Sequence, residues 1–303
     1  MSRNSVHAPV WRIDFEVPAG VEMSFSDFLD DRADSVVMFH DEAAKVWRFS
    51  CIFEDRPDVR EFISDLSVIS AACRVTPPQA IATEVPGTDW VTENLQSFPP
   101  IHAGRFYVHG SHWHEPIPHA AVALRVDAGA AFGSGEHATT RVCLRAIDGL
   151  IRAGHRPRRV LDLGCGTAIL GMAAARVFRA AVTASDIDPV AVAVAAQNAR
   201  LNHLSPWVDC VTSDGLAHPA IRQGAPYGLI LANILARPLV RLAGGIVDSL
   251  VPGGHLVLSG LLNHQEEKVL AAYRPRGLRL VRSYRSDGWS GLVLRAPERL
   301  ERE

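Results

Sequence analysis

Lysine is nearly missing from this chain. Of 303 residues only Lys45 and Lys268 are lysines, and arginine supplies the remaining positive charge, which we read as compositional bias. No excess of either sign accompanies it: 31 Lys plus Arg stand against 33 Asp plus Glu, a formal net charge of -2. A protein that lives on nucleic acid is expected to be basic, so DNA is not the expected partner. Cysteine is sparse as well. Cys51, Cys73, Cys143, Cys165 and Cys210 are odd in number, widely spaced and form no C-x-x-C. That excludes a disulfide framework and a structural zinc site of the usual spacing, and fits a reducing cytoplasm. The first ten residues lack the apolar core of a signal peptide. No run approaches the ~20 apolar residues of a membrane span. A cytoplasmic monomer with no membrane partner is expected.

What is present is core-forming material. Apolar residues make up 48% of the chain, and at roughly 100–200 residues per domain the length suits one large or two ordinary domains. In the N-terminal part, Trp11 to Val17 alternates apolar and polar as a half-buried strand does. Phe25 to Leu29 reads as a short helix, Ser35 to Phe39 and Val46 to Phe53 as strands around Asp41-Glu42, Val59 to Ala72 as a helix and Gln79 to Val85 as a strand. The order βαββαβ predicts a ferredoxin-like α+β domain over 1–85. Residues 86–118 read as a linker, yet one that holds Trp90, Phe98, Phe106, Tyr107 and Trp113, so it is expected to pack along the second domain.

From 119 to 303 the pattern becomes βα repeats, which predicts an α/β domain with a parallel sheet covered on both faces. Strands are expected at Ala121 to Val126, Val160 to Leu163, Ala181 to Ser185, Val208 to Val211, Leu229 to Ala232 and His255 to Leu258. Helices are expected at Thr139 to Ile151, Ile169 to Val177 and Val190 to Asn202. Leu278 to Tyr284 and Ser290 to Leu294 read as an antiparallel hairpin.

The chemistry gathers at the ends of these strands. V-L-D-L-G-C-G-T-A-I-L-G places Gly164 and Gly166 between a strand and a helix, where a tight turn and a close backbone approach to a ligand need glycine. A pyrophosphate loop would want Gly or Ala at position 169, which is Ile169. Twenty residues on, Asp186 ends a strand where an acid can accept both hydroxyls of a ribose, while Asp188 before Pro189 suits a helix cap. An adenosine-containing ligand without a pyrophosphate is implied, and S-adenosylmethionine meets that description. Asp214 in T-S-D-G is a candidate for the adenine edge or an ordinary turn acid; Asn233 in A-N-I-L is a candidate cleft residue or a helix N-cap. Thr139 and Thr140 read as caps of a helix or as donors to a ligand carboxylate, and His137 beside them as a cleft residue. His109, His112, His114 and His119 have spacing that permits a metal, but their proline-bounded segment is better explained by surface and packing roles. Cys165 in the glycine turn reads as a small buried filler.

A-F-G-S-G-E-H-A-T-T, L-D-L-G-C-G-T-A-I-L, D-I-D-P-x-A-V, L-I-L-A-N-I-L-A and P-G-G-H-L-V-L-S-G, in this order, resemble the ribosomal protein L-eleven methyltransferase family. The resemblance runs from about Asp89 to Leu294 and is most specific in A-F-G-S-G-E-H-A-T-T. It implies a class I methyltransferase sheet of seven strands preceded by a ferredoxin-like substrate-recognition domain. The implied reaction takes methyl groups from S-adenosylmethionine to lysine side chains, and an N-terminal amine, of ribosomal protein L-eleven, free or on the large subunit. The positions that match the family's cofactor contacts are Thr140, Gly164, Asp186 and Asn233; Gly166 and Asp214 join them as cofactor-binding candidates from their own sequence context, Asn233 and His137 are candidates near the transferred methyl, and no metal is required. Two departures stand out: Ser134 where Thr is common, and Ala168 where Gly is common. The alternatives are a class I methyltransferase acting on a lysine of another protein, and a module that binds the cofactor without catalysis. A-N-I-L lacks the aromatic that stacks on flat amide or adenine targets, which favours an aliphatic amine.

Overall fold

The computed structural model describes residues 10–29, 32–33, 35–41, 44–53, 55–85, 100–127 and 137–298. They fall into two compact units that divide near residue 98. The first contains β1 (Val10–Pro18), α1 (Glu22–Leu29), β2 (Ser35–Asp41), β3 (Val46–Phe53), α2 (Val59–Cys73) and β4 (Ile81–Val85). The strands form one sheet in the order β2-β3-β1-β4, antiparallel throughout. This is the ferredoxin-like arrangement that the βαββαβ pattern predicts. Strand alternation sends Ile13, Phe15 and Val17 of β1, and Trp47, Phe49, Cys51 and Phe53 of β3, to the buried face. Phe15 stacks on Phe49 with ring centroids 5.0 Å apart, and Phe62 of α2 meets Phe15 edge-on. Helix α2 starts where the Asp58 carboxylate accepts the N–H groups of Arg60 and Glu61, a cap that contributes about 1 kcal/mol.

The second unit is built on a seven-stranded sheet. Its strands are β8 (Arg159–Leu163), β9 (Ala181–Asp186), β10 (Val208–Thr212), β11 (Tyr227–Asn233), β12 (Leu250–Leu262), β13 (Arg279–Ser286) and β14 (Trp289–Arg295). The order is β10-β9-β8-β11-β12-β14-β13, with β8 to β12 parallel and β14 antiparallel to both its neighbours. Helices α3 (His137–Arg152), α4 (Ile169–Phe178), α5 (Pro189–Leu201), α6 (Pro219–Gly224), α7 (Ala236–Arg241), α8 (Ala243–Asp248) and α9 (Glu266–Tyr273) accompany it. The central strands feed two cores by alternation. Leu229 and Leu231 of β11 join a cluster with α3 and α4, whereas Ile230 and Ala232 join one with α7, α8 and α9. Such strands are apolar on both faces, as a sheet covered on both sides demands.

Three expectations are corrected here. Val122–Arg125 is a strand (β7), but it lies outside the large sheet. It pairs parallel with β6 (Phe106–His109), which pairs with β5 (Ile101–Ala103), in a separate three-stranded sheet. Only Leu124 of β7 is buried, too little apolar surface for a strand covered on both faces. Residues 101–109 of the stretch read as linker therefore supply two strands, and Ile101, Ala103, Phe106 and Val108 enter the α3–α4 core. Residues 86–99 of that stretch, with Trp90 and Phe98, lie outside the described residues. Finally, α6 to α9 were not expected. Among the described residues no helix is long and apolar enough to cross a membrane.

At the end of the sheet where the parallel strands begin, His155 and His255 face one another with ring centroids 4.0 Å apart. They help line a cavity of about 180 Å³ with Arg156, Pro157 and Gly253. Burial, then the His155 and Arg295 charges, push His255 down from 6.5 to about 4. A histidine whose folded-state pKa is depressed contributes stability that is full above its unfolded value and is lost as pH falls through the folded one. The window here is pH 6.5 down to about 4. The expected loss across it is about 2 kcal/mol, reduced from the full shift because the cavity admits water. His255→Phe should flatten that part of the urea midpoint-against-pH curve; an unchanged slope assigns the titration to other groups.

Candidate functional site

Five parallel strands end on the side opposite the histidine pair, and the candidate residues of the strands sit at four of their ends and the turns that follow. Strand β8 runs into Gly164 (φ +67°), Cys165, Gly166 (φ +51°), Thr167 and Ala168 (φ +59°) before α4 begins. The left-handed φ at Ala168 gives a reason for Gly to be common there. Alanine in that conformation costs about 1–2 kcal/mol, offset by burial of its methyl group and by a less flexible unfolded chain. Ala168 is fully buried.

Asp186 ends β9, and its carboxylate ties two turns together. Oδ2 accepts the Gly166 N–H at 2.8 Å and Oδ1 accepts the Asp188 N–H at 3.1 Å. Each oxygen keeps a lone pair for a further donor. Asp188 caps α5 by accepting the Val190 N–H at 2.7 Å, with Pro189 in the first turn, as its sequence context predicts. Ile187, between the two acids, is exposed. Asp214 follows β10 as an exposed turn residue. Its neighbour Ser213 donates its backbone N–H to the Asp186 carbonyl at 2.7 Å, which holds the two strand ends together.

Asn233 ends β11. It is not a helix cap, since α7 starts at Ala236 with Leu235 in the cap position. Its Nδ2 donates to Thr139 Oγ1 at 3.3 Å, and its buried Oδ1 has no hydrogen-bond partner among the described residues. Thr139 and Thr140 are not caps either. Helix α3 starts two residues earlier, at His137, so both threonines sit buried in its first turn. The threonine brought to Asn233 is thus Thr139, and Thr140, the candidate cofactor contact, sits buried beside it in the same turn. Residues 131–136 of A-F-G-S-G-E-H-A-T-T, and the His137 side chain, lie outside what is described.

Ile234 is held between two glycines. A Cβ at Gly164 would collide with Ile234 Cγ2, and one at Gly260 (φ +81°) would lie 2.7 Å from the Ile234 carbonyl carbon and 2.9 Å from its nitrogen. The A-N-I-L turn can therefore settle on β8 and β12 only because Gly164 follows β8 and Gly260 stands within β12. Gly260 belongs to the quoted P-G-G-H-L-V-L-S-G, yet its role is invisible until the strands are placed side by side.

Sequence reasoning also passed over Asp162. It lies within β8, is 1% exposed, and accepts the Gly171 N–H at 2.7 Å. Burial pushes its carboxyl up to about 7 against that hydrogen bond, and the Asp186 charge adds to the rise. The signal was an acid inside the apolar run V-L-D-L. Burial also raises the Cys165 thiol far above its ordinary range, so Cys165 is a packing residue rather than a nucleophile. Of the four spaced histidines, His109 Nδ1 contacts the Gly110 carbonyl, and His114 and His119 are exposed. Among the described residues no three metal-ligating side chains converge.

This donor set fits a ligand that is cationic and carries hydroxyls. The Asp186 charge adds to the rise of the Asp162 carboxyl, so a positive charge between the strand ends would be favoured. The Asn233 Oδ1 is an acceptor awaiting a donor, and the two glycines of the loop leave backbone bare for close approach. A sulfonium with an ammonium group and a ribose meets these demands.

Comparison with known proteins supports the same reading. Residues 11–297 match the model of the ribosomal protein L11 methyltransferase family. The match thus extends well before Asp89 and takes in the N-terminal unit. A ribosomal protein L11 methyltransferase of Bradyrhizobium diazoefficiens is 44% identical over 249 residues, covering 82% of this chain and 83% of the relative. One from Brucella suis is 39% identical over 268 residues, covering 88% and 91%. The crystal structure of a ribosomal protein L11 methylase from Lactobacillus delbrueckii subsp. bulgaricus superposes with a TM-score of 0.57 at 26% identity, covering 66% of this chain and 98% of that one. The chain belongs to the ribosomal protein L11 methyltransferase family.

Proposed function

We propose that this protein transfers methyl groups from S-adenosylmethionine to amines of ribosomal protein L11, on lysine side chains and at the N-terminus. The observation that carries the reading is the Asn233 Oδ1, buried and unpaired at the strand ends, in a turn wedged between Gly164 and Gly260. When bound, S-adenosylmethionine supplies a methyl group on a positive sulfur, which an amine displaces in line.

The chain's own residues do the rest. Asp186 accepts the ribose hydroxyls while keeping its backbone bonds, and Gly164 and Gly166 admit the ligand against bare backbone. Asp162 and Asp186 favour the ligand's positive charge. A free lysine, with a pKa near 10.4, is neutral in only about one molecule in 10³ or fewer at pH 7, and only the neutral amine carries the lone pair. Asn233 Oδ1 is placed to accept an N–H of that amine and so turn its lone pair towards the methyl group. Leu235, 58% exposed beside it, makes the mouth apolar, which disfavours a second cation and lowers the amine's pKa. Positioning of this kind is worth as much as ~7–11 kcal/mol of barrier, so the reading needs neither a nucleophilic side chain nor a metal. The ferredoxin-like unit grips the substrate protein, and the enzyme works as a cytoplasmic monomer.

The test is to weigh intact ribosomal protein L11 after incubation with the enzyme and S-adenosylmethionine, then map the modified amines. Added methyl masses on lysine and N-terminal amines are expected. An unchanged mass would reject L11 as substrate, and methylation of a different purified protein would favour a protein-lysine methyltransferase of other specificity.

A further inference from the structure

Two asparagines one turn apart, Asn198 on α5 and Asn202 at its C-terminal cap, do work that no motif announced. Asn198 is fully buried. Its Oδ1 accepts the backbone N–H of Asp127 at 3.0 Å, and its Nδ2 donates to the Thr167 carbonyl of the glycine loop at 3.2 Å. Asn202 Oδ1 accepts the Arg125 N–H at 2.9 Å, and its Nδ2 donates to the Arg125 carbonyl at 2.6 Å. Both side chains thus hold the chain leaving β7, but only Asn198 also holds the glycine loop. Helix α5 itself starts at the Asp188 cap, two residues after Asp186. One rigid element therefore connects the Asp186 turn, the glycine loop and the chain that enters G-A-A-F-G-S-G-E.

We propose that Asn198 is a positioning residue, whose single amide sets the glycine loop and the backbone at Asp127 in one geometry and so tunes cofactor affinity without touching the cofactor. Water has no access at this depth to replace either bond, so losing one leaves a backbone group unpaired. The proposal rests on the reading that the glycine loop holds S-adenosylmethionine. It differs from ordinary helix packing in that its two bonds are separable by substitution. Asn198→Asp keeps an acceptor for the Asp127 N–H and sets a second oxygen against the Thr167 carbonyl. Asn202→Ala breaks the β7 tether, together with its bonds to the Asn198 carbonyl and Met172 Sδ, and leaves the Thr167 bond in place.

Each protein is followed by thermal midpoint, by calorimetric binding of S-adenosylhomocysteine, and by kcat and KM for S-adenosylmethionine. Asn198→Asp is expected to bind about tenfold or more weakly, with KM raised more than kcat is lowered. Asn202→Ala is expected to lose thermal stability while binding within about twofold of the unaltered chain. If Asn198→Asp does not fold, Asn198→Ser takes its place with the same expectation. Affinity that falls in both variants in step with the midpoint, or that does not fall in Asn198→Asp, overturns the proposal. An unaltered chain that binds no S-adenosylhomocysteine overturns the functional reading beneath it instead.

Discussion

Gly260→Ala is expected to lower stability by about 3 kcal/mol and to abolish most activity. Two effects add. Alanine at φ +81° costs about 1–2 kcal/mol in backbone strain. The new methyl would also lie 2.7 Å from the Ile234 carbonyl carbon and 2.9 Å from its nitrogen. These are backbone atoms, so no rotamer change relieves the overlap, and overpacking of that kind costs about 1–3 kcal/mol. The relief available is movement of the A-N-I-L turn away from β12. That turn carries Asn233, and a displacement near 1 Å at a positioning group costs about a hundredfold in rate. Gly154 provides the control: its φ is +83°, and a Cβ there meets nothing within 4 Å. Gly154→Ala bears the strain without the overlap. Urea unfolding of both variants separates the two effects, and kcat/KM measured on each separates stability from positioning. If Gly260→Ala loses no more stability than Gly154→Ala, the close approach of β12 to Ile234 is not what holds the turn.

The pattern of the fold was legible where periodicity was strong. The βαββαβ order and the parallel core follow from alternation and from runs such as V-L-D-L and L-I-L-A, because burial on one or two faces leaves that imprint. It was not legible where partners are distant. Val122–Arg125 reads as one more core strand, and only its pairing with Phe106–His109 shows the separate sheet. Strand β12 continues from Leu250 through Pro252-Gly253-Gly254, where its register on β11 shifts, a sequence that locally spells a turn. Helices α7 and α8 are six residues each, with Gly244, Gly245 and Pro238 among them, too short to show a period. The site divides in the same way. Gly164, Gly166 and Asp186 announce themselves by chemistry next to an apolar strand. Asp162, Gly260 and Asn198 do not, since a buried acid, a second glycine and a helical amide acquire meaning only from what faces them. The bond between Thr139 and Asn233 is likewise visible only once α3 and β11 stand side by side.

Asp186→Ala is expected to weaken S-adenosylmethionine binding by about 1–3 kcal/mol, five- to 150-fold in Kd. The carboxylate is proposed to accept the ribose hydroxyls, but the structure adds a second route by which its loss acts. The same two oxygens hold the Gly166 and Asp188 N–H groups at 2.8 and 3.1 Å, so alanine also frees the glycine loop and the head of α5. Asp186→Asn distinguishes the routes only partly, because its NH₂ must face one of those two N–H groups, donor against donor. Asp186→Glu is the sharper comparison. It keeps the charge and both acceptors but moves them by one methylene, so contacts to a ribose held in fixed register suffer while flexible turns adjust. Calorimetry on S-adenosylhomocysteine and on methylthioadenosine, which keeps the ribose and lacks the amino acid, then locates the loss. A similar loss for both ligands assigns it to the ribose end. Unchanged affinity of Asp186→Ala for either would remove Asp186 from the ribose site and leave it a strut between two turns.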